Sequence, residues 1–207
     1  MKEAKKGVFA DQAGLERILF FSDAVMAIAI TLLVIDLRLP ENLRESGLGA
    51  ALLKLWPSYL GYLLSFIVIG NYWLSHRRLF RPIRRYDDRL CWLSLLFLFF
   101  IALLPFSTRL IGLFPMSRTA FAVYSLNVLP LGFISHALTR HAYANHRLIS
   151  ATMPAVEIRK LLDFSRRGTI LFLACLMISA VFPVAFFPVW FLAFLARSAG
   201  RRAFKIQ

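Results

Sequence analysis

The sequence predicts an all-α, polytopic membrane protein with six transmembrane helices, and three observations carry that prediction. Of its 207 residues, 59% are hydrophobic, 20 are Phe and the mean hydropathy is +0.66, too apolar for a soluble domain of this size. The apolar residues gather into six stretches near the length of a bilayer span, which needs roughly 20 residues and ranges from about 17 to 25. The charge falls between those stretches: a net +14 would otherwise suggest a nucleic-acid partner, but Lys and Arg in short loops report membrane orientation instead. No nucleic acid is expected as a partner.

The first span is expected over 17–38. It follows a basic start but carries no small-residue cleavage site, so it reads as a retained helix and not as a signal peptide. Spans 49–75, 89–112 and 119–143 follow. Pro154, with Glu157, Arg159, Lys160 and Asp163 interleaved with Leu161, Leu162 and Phe164, predicts a short amphipathic helix at the membrane surface before the fifth span, 167–182. The sixth, 184–200, is also short. Phe182-Pro183 and Phe187-Pro188 divide the last two, which read as a tight hairpin. With no low-complexity linker and no internal duplication, residues 1–207 form one six-helix domain.

Six spans put both termini on one side. Twenty of the 25 Lys and Arg residues then fall with the termini, and only Arg38, Arg44, Lys54, Arg109 and Arg118 fall opposite. The termini are therefore expected in the cytoplasm.

The first span carries polar groups that need a reason. An ionised side chain at mid-membrane costs about 2.5 to 3.5 kcal/mol even on the lenient insertion scale, so Asp23 and Arg17 read as residues that face the bundle. Arg17 lies six residues before Asp23, about 240° around an ideal helix, so each is expected to reach a neighbouring helix. The second span supplies partners near its cytoplasmic end: Asn71, Trp73 and His76 offer hydrogen-bonding groups beside Asp23, and Gly70 would permit close approach. Higher in the first span, Ile28, Leu32 and Ile35 share one face, with Thr31 about 60° to the side. Such a stripe serves equally as a packing face.

Other chemistries have little footing. His136, His141 and His146 are five apart, a rotation of about 140° that does not stack metal ligands. Cys91 and Cys175 form no CxxC pair and read as free thiols. The chain carries no phosphate-binding glycine loop, no GxSxG or HExxH motif and no TVGYG filter. No enzyme activity, cofactor or resident metal is expected.

The first-helix string Arg17-x3-Phe21-Ser22-Asp23, continued by Ala27-Ile28-Ala29-Ile30-Thr31-Leu32-Leu33, resembles the signature of the transmembrane protein 175 family. Ser65-Phe66, Gly70-x-Tyr72-Trp73 and His76-x3-Phe80 resemble that family's second signature, and beyond the first two helices the agreement is in topology alone. The resemblance implies a potassium-permeable cation channel. For a chain with one repeat it implies a homotetramer with four first helices around a central pore, in a prokaryotic inner membrane. By motif position Ile28, Leu32 and Ile35 would form the constriction, with Ile28 narrowest. Thr31 would contact the ion and set a preference for K⁺ among monovalent cations. Arg17, Ser22, Asp23, Asn71, Trp73 and His76 would lock the helices together.

A ring of isoleucines strips water from a passing ion and closes by dewetting, so conduction requires the first helices to rotate or spread. Asp36, Glu41 and Glu45 near the outer mouth would concentrate cations there. The competing reading is a secondary transporter or proton-coupled carrier that titrates Asp23 and His76. Carriers usually break their helices at the midplane, and the first two spans hold no Pro or Gly pair there. A membrane-embedded enzyme using the same two residues lacks a nucleophile or metal set.

Overall fold

A computed structural model describes residues 8–9, 12–143, 148–149, 153–181 and 188–193. Its regular structure is helical apart from one two-residue ribbon. Helix α1 runs Gln12–Ile35, and its buried residues are Leu15, Ser22, Met26, Ala29 and Leu33. Their spacing of three, four and seven is that of a helix leaning on its neighbours along a single seam.

The second span is not one straight helix. Helix α2, Leu48–Lys54, and helix α3, Trp56–Phe80, meet at Leu55 with a bend of 51°. Pro57 has no N–H to return to the Leu53 carbonyl and its ring crowds that oxygen, so the helix stops and restarts. Past the bend α3 continues beyond 75 to Phe80, which places Trp73 and His76 inside its final turns.

The third span is broken more gently. Helices α4, Asp88–Ala102, and α5, Leu104–Leu113, together make one apolar span interrupted at Leu103, with Pro105 just after the break. An unbroken helix would join the Leu104 N–H to the Phe100 carbonyl. Here Asn127 of helix α6, Arg118–Tyr143, comes between them: in the amide orientation that satisfies both its oxygen and its nitrogen, it accepts from Leu104 N–H and donates to Phe100 carbonyl, each at 3.2 Å. One side chain thus satisfies both orphaned groups. α6 packs against α4, α5 and α7, and α3 against α1 and α5.

Helix α7 runs unbroken from Ala155 to Val181. The separate surface helix expected before residue 167 is therefore its first half. No Pro or Gly separates Ala155 from Arg167, so nothing stops the helix, and Leu161 and Ser165 are buried instead of lying on a membrane surface. Residues 188–193 are helical, with Trp190 stacked on Phe172 and edge-on to Tyr124. The rest of the expected sixth span lies outside the described residues. Among these, Gln12–Ile35, Asp88–Leu113 and Arg118–Tyr143 are long and apolar enough to cross a membrane, and the bent α2 and α3 pair is so too when taken as one span.

Close approach falls to glycines other than the expected one. A Cβ at Gly70 would meet nothing within 4 Å, whereas one at Gly112 would press on Ser58 and one at Gly132 on Thr169. At one end of the bundle, strand β1 (Val8–Phe9) pairs antiparallel with β2 (Tyr86–Asp87), and Gly14 leaves room for the Tyr86 hydroxyl. On the far side of that loop the Leu148 carbonyl accepts from the Arg84 and Arg85 N–H groups at 2.8 and 3.1 Å.

Candidate functional site

α1 is the least enclosed of the spans. In its most apolar window 22% of residues are buried, against 44% in Asp88–Leu113 and 50% in Arg118–Tyr143. Met26, Ala29 and Leu33 face the bundle, while Ile28, Leu32 and Ile35 stand 58%, 42% and 51% exposed on the other side. Thr31 shares that open side, and its hydroxyl donates to the Ile28 carbonyl at 2.8 Å. With its hydrogen committed, the Thr31 oxygen offers only lone pairs outward, an acceptor suited to a cation.

Below this stripe the first helix is fastened to α3. The Trp73 indole N–H donates to Asp23 Oδ1 at 2.8 Å, and the Arg77 guanidinium lies 4.9 Å from the centre of the indole ring. Of the six residues expected to lock the helices, these two, Asp23 and Trp73, meet. Ser22 is fully buried but donates to Ile18 of its own helix at 2.8 Å, and the Asn71 amide donates to Ile67 of its own helix at 2.8 Å. In a helix the carbonyl four residues back lies within reach of a short polar side chain, so such local bonds form readily. His76 is 4% exposed, stacked on Phe80 at 4.4 Å and near Phe97 at 5.9 Å, and neither ring nitrogen has a hydrogen-bond partner. It does not bond to Asp23. Arg17 is exposed, with no ion pair among the described residues.

Three polar groups escaped sequence reasoning. Arg77 was counted only as a loop charge, yet it covers the indole that holds Asp23. Asp87 caps α4 by accepting from Leu90 N–H at 2.9 Å, and its two oxygens lie 2.8 and 2.9 Å from His141 Nε2. An Asp placed just before an apolar run is the usual mark of a helix start and was the available signal. Deep in the bundle Ser65 lies 2.6 Å from Thr108 Oγ1 and 3.1 Å from the Tyr124 hydroxyl, joining α3, α5 and α6. No periodicity marks that trio.

At the other end of α1, a cavity of about 170 Å³ separates it from α3 and α5. Asp36 and Arg109 face each other across it at 3.7 Å, with Arg38, Ser58 and Tyr62 on its walls. Of the three acidic residues expected to draw cations at the outer mouth, Asp36 is thus partly balanced by a guanidinium.

Comparisons with known proteins place the whole chain in a family. The family model described as the endosomal/lysosomal potassium channel TMEM175 matches residues 17–105, the part that holds α1, the tether and α4. A potassium channel of Chamaesiphon minutus is 34% identical over 185 residues, covering 87% of this chain and 88% of that one. A potassium channel of Streptomyces collinus is 37% identical over 147 residues, covering 69% and 71%. The endosomal/lysosomal proton channel TMEM175 of Rattus norvegicus is 28% identical over 182 residues, and the match spans 36% of that longer protein. The crystal structure of a lysosomal potassium-selective channel TMEM175 homolog from Chamaesiphon minutus superposes with a TM-score of 0.81 at 30% identity, covering 91% of this chain and 98% of that one. Identity of this degree over nearly the full length, together with a shared all-α membrane-channel fold, makes this chain a member of the TMEM175 family.

Proposed function

We propose that this protein is a potassium-permeable cation channel in which four copies place their first helices around a central pore. The observation that carries this reading is the division of α1 into a narrow buried seam and an open face bearing Ile28, Thr31, Leu32 and Ile35. A helix with so little of its surface enclosed suits one that meets its own copies on one side and water-filled space on another. Relatives named potassium channels supply the ion.

In this reading the Ile28, Leu32 and Ile35 rings form the constriction, closing by dewetting, and the Thr31 oxygens contact K⁺ when the helices spread. Asp23, held by Trp73, fixes the rotation of α1 near its middle. The chain is a single six-span domain of a prokaryotic inner membrane with both termini in the cytoplasm, an orientation supported by the excess of Lys and Arg on that side. It acts through permeation and not through a reaction.

The test is conduction. Purified protein in planar bilayers under opposed K⁺ and Na⁺ gradients should give unitary currents that reverse toward the potassium potential. Saturable uptake without unitary steps would instead promote the carrier reading with Asp23 and His76. The rat relative's name makes protons the second permeant to examine, by imposing a pH gradient on the same bilayers.

A further inference from the structure

Where the ends of α3 and α6 meet the first half of α7, a cavity of about 30 Å³ opens to one side. Its polar wall holds Arg78 from α3, Ser135 and Thr139 from α6 and Ser165 from α7, and Leu79 and Leu161 supply apolar wall. We propose that this cavity binds a phosphate group, and specifically the headgroup phosphate of an anionic lipid, between Arg78 and Ser165.

Ser165 is the first reason. Elsewhere in the bundle the hydroxyls of Ser22, Ser75, Ser94 and Thr139 each donate to the carbonyl four residues back on their own helices. Ser165 is only 7% exposed, yet its hydroxyl makes no such bond and has no hydrogen-bond partner. A buried hydroxyl without a partner is costly, so one on a residue that lines a cavity marks a place for a ligand acceptor.

Arg78 is the second. Its guanidinium shares the cavity, and among the described residues no carboxylate lies within 4.0 Å of it. A guanidinium beside a free hydroxyl suits an anion and repels a metal ion or an ammonium group. Planar, forked donors recognise phosphate in two-point fashion.

Size and place select the form of the anion. The cavity has room for about one or two oxygen-sized groups, so it admits phosphate oxygens while the rest of the molecule stays at the open mouth. It lies at the helix ends that carry most of the basic residues, with Arg140 next to Thr139 and Arg166 next to Ser165 in sequence. Basic pockets between helices at a membrane face are where anionic headgroups bind.

The experiment is a thermal-unfolding titration of the intact protein in uncharged detergent with phosphatidylglycerol, phosphatidylcholine and inorganic phosphate. Phosphatidylglycerol should raise the midpoint saturably and phosphatidylcholine should not. The half-saturating concentration should rise roughly tenfold or more in Arg78→Gln, which removes a charge-assisted bond, and about two- to tenfold in Ser165→Ala. Arg81→Gln, an exposed charge outside the cavity, should behave as the parent protein does. Should Arg78→Gln fold poorly, Arg78→Lys keeps the charge without the fork and should give a smaller rise. Equal saturation by inorganic phosphate would support the phosphate chemistry and overturn the lipid as its source. Unchanged phosphatidylglycerol titrations in both Arg78→Gln and Ser165→Ala would overturn the proposal. Binding is read here without conduction, so this outcome is independent of the channel reading.

Discussion

Trp73 donates its indole N–H to Oδ1 of Asp23 at 2.8 Å, and so joins the first helix to α3 one and a half turns below Ile28. The carboxylate sits near the middle of a helix that packs on α3, α4 and α5 along one narrow seam and leaves its other face open. With only that seam to hold it, the rotation of α1 depends on this cross-helix bond.

Removing the donor should be felt in both stability and conduction. Trp73→Phe keeps most of the ring but leaves a half-buried carboxylate short of a partner, a loss of about 1 to 3 kcal/mol. Asp23→Asn keeps an acceptor oxygen and should lose less. Thermal midpoints of the purified protein should fall in that order, and bilayer recordings should show altered open probability in both variants.

Ile28→Asn places a polar amide where the constriction is proposed, so it should keep water in the pore and raise conductance or leak. Unchanged unitary currents at matched expression would remove Ile28 from the constriction.

Thr31→Ser retains a hydroxyl that can donate to the Ile28 carbonyl, and Thr31→Val retains shape without oxygen. The preference for K⁺ over Na⁺, read from reversal potentials, should survive the first change and fall in the second.

Asp87 serves two partners that substitutions can separate. Asp87→Asn keeps a good cap for α4 and loses the carboxylate that holds His141, whereas Asp87→Ala loses both. The alanine variant should be less stable than the asparagine variant by roughly the value of a cap, about 1 kcal/mol. Calorimetry on the two proteins in the same detergent measures that difference.

Asn127→Leu fills the same space without an amide and leaves the Leu104 N–H and Phe100 carbonyl unpaired at the α4 and α5 break. Each unsatisfied buried group costs about 1 to 3 kcal/mol, so this single change should lower stability more than a typical core substitution. A midpoint close to that of the parent protein would mean that the break closes into a regular helix.

Much of this was legible from residue order alone because hydrocarbon enforces it. In a bilayer every backbone group must be satisfied within its own segment, so runs of apolar residues become helices of predictable length. That rule placed α1, α4 with α5, and α6 within a few residues. Pairing the ends of the first two spans was also enough to bring Trp73 to Asp23, since a short connection makes neighbouring helices antiparallel.

What residue order left undetermined has a common cause: local alternatives of similar energy that only neighbours resolve. Ser22 had a carbonyl on its own helix within reach and took it, while His76 slid between Phe80 and Phe97 instead of turning to Asp23. Pro57 and Pro105 announced interruptions, but whether each became a sharp bend or a repaired break depended on what packed beside it. At Leu103 Asn127 filled the gap, and at Leu55 the chain turned through 51°. Hydropathy and motif spacing are properties of the chain alone, and they suffice to specify an α-helical membrane protein, its family and the apolar face of α1. Which polar groups meet, where the helices bend and which hydroxyl is left without a partner depend on side chains brought together from distant parts of the chain, and so only the folded bundle sets them.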